Sequence, residues 1–358
     1  MSDIKFCQTA NNALSLWNNL DIMAATKPFF SIIIPVYNRP DEVRELLESL
    51  DVQTCKDFEL LLVEDGSTRR CDEVAREYAD RMIIRYFYKE NSGRSLTRNY
   101  GMERAEGRYL VFFDSDCIIP PAYFETVRRR LDEHPVDCYG GPDAAHSSFS
   151  RLQKAINYAM TSFFTTGGIR GGKGSMEKFT PRTFNMGFSK EVYDRVGGFA
   201  DMFGEDIDLS LRIRDAGFTT ALFRDAYVYH KRRVSFRSFY RQVYVFGMAR
   251  VDLYRLHPES LKVVHLLPAC FVLGTAALVV GAFFWPWTLL PLAFYYGLLF
   301  LESLVKNRSL PIALLSLLTC TIQLGGYGLG FLKAFITKVV LKKKVDREAE
   351  LAKHYKKK

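Results

Sequence analysis

The chain has few cysteines and no pairing pattern among them. Seven cysteines are scattered over 358 residues, and none forms a C-x-x-C pair. An odd, dispersed set excludes a disulfide framework and a paired-cysteine zinc site, and it indicates a reducing compartment. The first residues also lack the basic-then-apolar order of a signal peptide, so we expect residues 29–262 to stay in the cytosol.

Two long segments near the C-terminus lack charged side chains altogether. Residues 266–301 and 309–332 contain no Asp, Glu, Lys or Arg. Each is longer than the roughly 20 residues that cross a bilayer as a helix. The mean hydropathy of −0.06 is therefore an average over unlike regions. The sequence predicts two or three membrane-embedded helical segments over residues 263–332.

Net positive charge is confined to the C-terminal part of the chain, mostly beside the apolar segments. The whole chain carries +9: residues 1–223 carry −5, residues 224–262 carry +6, residues 263–332 carry +1 and residues 333–358 carry +7. A nucleic-acid-binding protein is expected to carry its positive charge on the folded domain that grips phosphate. We therefore exclude nucleic acid as a partner and expect the basic flanks to contact anionic membrane lipids.

The first 130 residues alternate apolar runs with amphipathic ones. The runs predict strands over 29–36, 58–63, 82–88 and 108–113, with helices from Asp41, over 72–79 and over 94–105. Asp41 is predicted to cap the first helix and Pro35 to end the first strand. This alternation is typical of an α/β fold with an open, mostly parallel sheet, whose ligands bind beyond the carboxyl ends of the strands.

Polar residues follow three of these strands. They are Tyr37 and Asn38, Asp65, and the tripeptide Asp114-Ser115-Asp116. Two carboxylates one residue apart at a strand end can share a divalent cation that neutralises a diphosphate. The alternative is a solvated turn, but two charges directly after a buried strand are costly without compensation.

Five segments together resemble family 2 glycosyltransferases with the GT-A fold. They are FFSIIIPVYN from Phe29, LVEDGS from Leu62, NSGRSLTRNYG from Asn91, GRYLVFFDSD from Gly107 and GFADMFGEDIDLSLR from Gly198. The resemblance covers residues 29–232. It implies an inverting enzyme that takes a sugar from a nucleotide-diphosphate donor with the help of Mg²⁺ or Mn²⁺.

The resemblance also implies roles on the nucleotide side. Asp116 would be the direct metal ligand, with Asp114 near both the metal and the ribose and Ser115 between them. Asp65 would accept a hydrogen bond from the base, which favours uracil or guanine over adenine. The remaining nucleotide-side residues would be Pro35, Tyr37, Asn38 and Arg98. Alternatively, Asp65 caps the next helix and Arg98 is an ordinary helix-surface residue.

Two further features follow from the same resemblance. Asp206 would be the general base that deprotonates the acceptor hydroxyl, supported by Glu205, whereas the alternative is that both simply favour a helix N-terminus. His230 would complete the metal shell, or else make a structural hydrogen bond.

The predicted organisation has five parts: an N-terminal extension (1–28), the GT-A domain (29–233), an amphipathic interfacial segment (234–262), the membrane region (263–332) and a basic tail (333–358). The amphipathic segment could alternatively pack on the domain. Trp285-Pro286-Trp287 predicts a helical hairpin turn. The third apolar segment contains four glycines, which predict a bent or re-entrant helix that keeps the tail cytosolic; a full span is the alternative.

We therefore predict a multi-pass protein of the plasma (inner) membrane with a cytoplasmic catalytic domain. It would transfer a sugar to a lipid-linked or membrane-proximal glycan in the synthesis of a cell-envelope polysaccharide or glycolipid. The alternatives are transfer of one sugar to a polyprenyl phosphate, or a non-catalytic membrane scaffold with the same fold.

Overall fold

The computed structural model describes residues 27–144, 149–167, 180–231 and 234–342. Nearly all of the N-terminal extension and most of the basic tail lie outside these ranges. So do Arg232 and Arg233, which follow the predicted metal-ligand histidine.

A seven-stranded mixed sheet forms the centre of the molecule. In spatial order it runs β3-β2-β1-β4-β8-β6-β9, and the first four of these strands are parallel. Three more strands, β5, β10 and β7, form a separate small sheet. In chain order the strands are β1 Phe30–Val36, β2 Phe58–Asp65, β3 Ile83–Lys89, β4 Tyr109–Phe112, β5 Cys117–Ile118, β6 Cys138–Gly140, β7 Asp143–Ala144, β8 Met186–Ser189, β9 Thr220–Leu222 and β10 Val228–His230. β8 is antiparallel to both of its neighbours. The predicted α/β class and mostly parallel sheet are confirmed.

Helices cover this sheet and extend beyond it. They are α1 Pro40–Asp51, α2 Asp72–Arg76, α3 Arg94–Met102, α4 Tyr123–Glu133, α5 Arg151–Thr161, α6 Phe163–Thr166, α7 Lys190–Val196, α8 Glu205–Asp215, α9 Phe236–Leu256, α10 Leu267–Ala282, α11 Leu290–Asn307 and α12 Leu310–Ala334. A π-helical segment, Phe335–Val340, continues α12. The apolar face predicted for α1 is buried against the sheet.

The predicted first strand is confirmed, whereas the predicted cap of the first helix is wrong. β1 ends at Val36, one residue after Pro35, in agreement with the predicted range of 29–36. β4 pairs with β1 only as far as Ile33, so this side of β1 is unpaired where the proline falls. Helix α1 begins at Pro40 with Arg39 as its N-cap and has no side-chain cap, whereas Asp41 instead forms a 3.0 Å salt bridge with Arg69. Proline at the first helical position needs no N–H partner, which explains this start.

The C-terminal helices are strongly apolar and much of their surface is exposed. Two of them, Pro286–Asn307 and Leu310–Val340, are long and apolar enough to cross a membrane by length and composition, and Leu267–Ala282 is shorter. A 3₁₀ turn at Pro286–Leu289 separates α10 from α11, which confirms the break predicted at Trp285-Pro286-Trp287.

The bent or re-entrant third segment is contradicted, because α12 is one continuous helix. Its glycines serve close packing instead. A Cβ on Gly330 would lie 2.1 Å from the Tyr244 carbonyl oxygen, and one on Gly328 would lie 2.2 Å from the Pro268 carbonyl oxygen. Small residues let helix backbones approach this closely, so glycine here indicates a helix contact rather than a bend.

Helix α9 connects the sheet domain to the apolar helices. A Cβ on Gly247 would lie 2.1 Å from the Tyr327 carbonyl oxygen of α12. Beyond this crossing, Lys338 Nζ forms a buried salt bridge with both carboxylate oxygens of Asp252, at 3.0 and 2.9 Å. The end of the third apolar segment therefore lies beside α9.

Candidate active site

The turn after β4 carries the two aspartates of the D-x-D tripeptide. The Cys117 amide donates to the Asp114 carbonyl oxygen at 3.0 Å, which closes the turn over the buried Ser115. The Asp114 side chain is one-third exposed, and that of Asp116 is mostly buried. Both carboxylates thus lie at the carboxyl edge of the parallel strands, as the sequence predicts.

His230 reaches this turn because β10 pairs antiparallel with β5, with His230 opposite Cys117. Its Nε2 atom lies 3.2 Å from Asp116 Oδ1 and 3.7 Å from Asp114 Oδ2. Neighbouring ligands of an octahedral cation with bonds of about 2.1 Å lie about 3 Å apart, so this donor set fits a divalent cation. The ring also stacks on Phe184 at a centroid distance of 5.1 Å, which fixes its orientation.

Cys117 lies beside the same cluster. Its Sγ atom is within 4.8 Å of a carboxylate oxygen of Asp116 and of a ring nitrogen of His230. Burial raises the pKa of its thiol well above the usual value, and Sγ lies 3.6 Å from the Phe184 carbonyl oxygen. A thiolate is a soft ligand, whereas Mg²⁺ and Mn²⁺ favour carboxylate oxygens. Two carboxylates and one imidazole therefore make up the candidate site.

Arg39 neutralises part of this charge. Its Nη1 donates to Asp116 Oδ2 at 2.8 Å, so the two oxygens of Asp116 face different side chains, those of Arg39 and His230. Burial opposes the charged form of Arg39, but the salt bridge with Asp116 outweighs it and raises the pKa of the guanidinium.

A chain of ion pairs links Asp114 to helix α8. The buried Arg98 donates to Asp114 Oδ1 at 2.7 Å and to Glu205 Oε1 at 3.2 Å. Arg94, one turn earlier on α3, contacts both oxygens of Glu205 at 2.8 and 2.9 Å. Glu205 is therefore buried between two arginines, and Arg98 lies in the protein interior rather than on a helix surface.

Asp206 has a more open environment than its neighbour. One oxygen accepts from the Ile207 amide at 2.8 Å, and the other lies 3.6 Å from Arg182 Nη1. Helix α8 begins after Gly204, which adopts φ +84°. The helix ends at Asp215, and Gly217 beyond it also has φ +84°, a conformation that favours glycine after a helix C-terminus.

Asp65 ends β2 and organises the loop before α3. It accepts hydrogen bonds from the amides of Ser92 at 2.8 Å and Gly93 at 2.9 Å, and from Lys89 Nζ. The alternative that it caps the next helix is wrong, since α2 has Cys71 at its N-cap. Two carboxylate oxygens offer about four acceptor positions, so three contacts leave one for a ligand.

The loop after β1 stands opposite this strand end. Asn38, in a left-handed conformation with φ +56°, accepts from the amides of Thr68 and Arg69 at 2.8 and 2.9 Å. Pro35 is partly buried within β1, and Tyr37 is exposed. The predicted nucleotide-side residues thus lie on adjacent strand ends, with the Asn38 side chain tying two loops together.

Three arginines around these carboxylates escaped the sequence analysis: Arg39, Arg94 and Arg182. The spacing of Arg94 and Arg98 held a usable signal, because positions four apart face the same side of a helix. Arg39 and Arg182 lie 77 and 24 positions from their partners, in a loop and an irregular turn, and no local pattern announces such contacts.

Comparison with known proteins agrees with this architecture. The family model described as glycosyl transferase family 2 matches residues 31–197. The chain is 30% identical over 204 residues to the uncharacterized glycosyltransferase EpsJ of Bacillus subtilis, which covers 56% of this chain and 57% of EpsJ. It is 39% identical over 109 residues to the minor teichoic acid biosynthesis protein GgaB of the same organism, covering 29% of this chain and 12% of GgaB. The chain thus spans little more than half of EpsJ and a small part of GgaB.

Among solved structures, the mannosyltransferase PcManGT from Pyrobaculum calidifontis, in complex with GDP-Man and Mn²⁺, is similar with a TM-score of 0.53. The match covers 89% of each chain at 18% sequence identity, and it concerns the fold. The sheet is thus of the GT-A type that the five motifs imply, and residues 31–197 match glycosyl transferase family 2.

Proposed function

We propose that this protein is an inverting, metal-dependent glycosyltransferase that moves a sugar from a nucleotide-diphosphate sugar to a lipid-linked acceptor. The observation that carries the proposal is the convergence of Asp114, Asp116 and His230 at one edge of the sheet. Arg98 connects this cluster to the first turn of α8, where Asp206 lies. The cation ligands are thus linked through one buried arginine to the helix turn that carries the candidate base.

The donor side of the site consists of Asp65, Asp114, Asp116 and His230. Asp114, Asp116 and His230 would hold Mg²⁺ or Mn²⁺, which when bound neutralises the diphosphate of the donor. Asp65 would use its remaining acceptor position for an imide N–H, which supports a uracil or guanine nucleotide. Asn38 would keep the opposite loop in position beside the base.

Asp206 suits the role of general base better than Glu205 does. Inversion requires a base that removes the acceptor proton on the face opposite the leaving group. Glu205 is buried and bound by two arginines, so its oxygens are occupied. The Asp206 side chain is partly exposed, and its closest cation lies 3.6 Å away. In this proposal Glu205 positions α8 while Asp206 takes the proton.

The acceptor would come from the membrane side. Helix α9 runs from the sheet domain to the apolar α12, and many apolar side chains of α10–α12 are exposed. The Lys338–Asp252 salt bridge supports a tail on the same side as the catalytic domain. Similarity to GgaB, named for minor teichoic acid biosynthesis, supports a product in a cell-envelope polysaccharide. The plasma membrane is the proposed location.

The test is sugar transfer by membranes that contain the full chain. They are incubated with a panel of UDP- and GDP-sugars plus Mn²⁺, and the lipid fraction is analysed by mass spectrometry. We expect a sugar adduct with one donor, which disappears with chelator and with Asp206→Asn. A complete lack of incorporation with every donor would favour the non-catalytic scaffold.

A further inference from the structure

A group of cationic side chains lies beside Asp206, on the side facing helices α9 and α12. Arg182 Nη1 is 3.6 Å from Asp206 Oδ2. Arg250, on α9, is hydrogen-bonded to Tyr327 of α12 and lies within electrostatic reach of both Arg182 and Asp206. We call Arg182 and Arg250 the arginine pair.

The packing of α9 against α8 fixes this arrangement. A Cβ on Gly204, directly before α8, would lie 3.1 Å from Leu253 and 3.7 Å from Ala249, the neighbour of Arg250. Farther along both helices, His257 Nε2 lies 2.9 Å from Asp208 Oδ1. Arg250 is therefore held next to the first turn of α8 from two directions.

Among the described residues, Arg182 and Arg250 face one carboxylate here, that of Asp206. Burial lowers the pKa of Arg250, and nearby Arg182 lowers it further, against the effects of Tyr327 and Asp206. Partly buried cations that outnumber their carboxylates are stabilised by an added anion.

The donor diphosphate is a poor candidate for this anion. Its proposed cation ligands are Asp114, Asp116 and His230, and the residue stacked on His230 is Phe184. Arg182 lies two residues before Phe184 and contacts Asp206 instead. The turn thus separates an acidic cluster, which needs a cation, from a cationic cluster, which needs an anion.

We propose that the arginine pair binds the phosphate of a lipid-linked acceptor and so presents the acceptor hydroxyl to Asp206. Tyr327 belongs to α12, a helix apolar enough to cross a membrane, and Leu329 and Ile336 are exposed apolar side chains farther along it. The arginine pair and these apolar side chains together suit an amphiphile with an anionic head and an apolar tail. This inference rests on the proposed glycosyltransferase function and names the substrate class of that site.

The first experiment measures binding to the full chain in detergent micelles. The probes are farnesyl phosphate, its uncharged analogue farnesol, and the nucleotides UDP and GDP with Mn²⁺. We expect farnesyl phosphate to bind at least about tenfold more tightly than farnesol, because each charged hydrogen bond adds substantially to affinity. Failure of the unaltered protein to distinguish the two probes would overturn the inference.

The variants Arg182→Gln and Arg250→Gln then assign the site. Each should weaken farnesyl phosphate binding at least about tenfold and leave nucleotide binding within about twofold. Arg255→Gln is the matched control, since Arg255 is an exposed residue on the same helix. Unchanged farnesyl phosphate binding in both variants would refute the assignment.

The remaining outcomes separate the two proposals. Equal loss of nucleotide binding would assign the arginines to the donor diphosphate and overturn the acceptor site. Thermal unfolding of each variant reports separately whether it is folded. Farnesyl phosphate binding without any sugar transfer would leave the phosphate site standing and remove the enzyme function. Sugar transfer to a neutral lipid that is unaffected by Arg182→Gln would support the enzyme function and overturn the phosphate site.

Discussion

The donor side and the acceptor side of the proposed site differ in charge and in how they are held. On the donor side, carboxylates predominate, and arginines or backbone amides fix Asp65, Asp114 and Asp116 within the sheet domain. On the acceptor side, arginines surround Asp206, and helices from beyond the sheet supply part of the wall. Hydrogen bonds hold the donor side in place, and close helix packing holds the acceptor side. We therefore expect single substitutions to impair donor binding or acceptor binding separately.

We expect Asp206→Asn to produce the largest difference between the effect on turnover and the effect on donor binding. Loss of a general base reduces turnover by about 10²–10⁴-fold, while donor binding should stay within about twofold because Asp206 lies outside the donor side. Steady-state transfer rates and nucleotide binding measure the two effects. Asp215→Asn, at the exposed end of α8, is the control and should be silent. Full turnover by the Asp206 variant would disprove the base assignment.

Asp116→Asn should act on the donor side instead. Loss of a cation ligand removes several kcal/mol of charge stabilisation, which corresponds to a fall in Mn²⁺-dependent transfer of about a hundredfold or more. The protein should fold normally and still bind farnesyl phosphate. Transfer is measured against Mn²⁺ concentration, with Asp132→Asn on the exposed face of α4 as control. An unchanged Mn²⁺ response would argue against this ligand.

Glu205→Gln tests the link between the sides. It leaves the buried Arg98 and the partly exposed Arg94 without their shared carboxylate. Removing one partner of a buried ion pair costs about 3–5 kcal/mol, and the exposure of Arg94 places our expectation nearer 2–3 kcal/mol. Denaturant unfolding measures the loss. Glu103→Gln, an exposed residue next to α3, should change stability by less than about 0.5 kcal/mol. Equal effects would contradict the linking role.

Gly247→Ala should give the smallest effect and confine it to the acceptor side. The new Cβ would meet the Tyr327 carbonyl oxygen at 2.1 Å, so α9 and α12 must move apart, at a cost of about 1–2 kcal/mol. Acceptor KM should rise about threefold to tenfold with donor KM unchanged. Gly325→Ala is the control, because a Cβ there meets no atom within 4 Å. A change in donor KM alone would contradict the separation of sides.

Strand positions and the D-x-D turn could be predicted because their signals are local. Continuous apolar runs produced β1, β2 and β4 to within two residues, and Gly217 ended α8 as its conformational freedom suggests. The position of Asp114 and Asp116 at the carboxyl edge of the sheet could also be predicted, because parallel strands end on the same side of a sheet.

The errors share a different cause, which is contact with distant segments. The glycines of α12 predicted a bend, yet Gly328 and Gly330 accommodate the backbones of α10 and α9. Asp65 was compatible with a cap on α2, but it binds a loop 27 positions away. Arginines are common on helix surfaces, so nothing local distinguished Arg250 from a solvated one. Partners that lie far apart in the chain become visible only in three dimensions.

The contact between His257 and Asp208 has a practical consequence. Helix α8 carries the proposed base. Its first turns contact α9 and the residue that follows it, and α9 packs against α12. A protein shortened to residues 29–233 would keep every donor-side residue but lose one wall that supports Asp206. We expect such a fragment to bind nucleotide and yet transfer no sugar, which would make the apolar helices part of the catalytic unit rather than a detachable anchor.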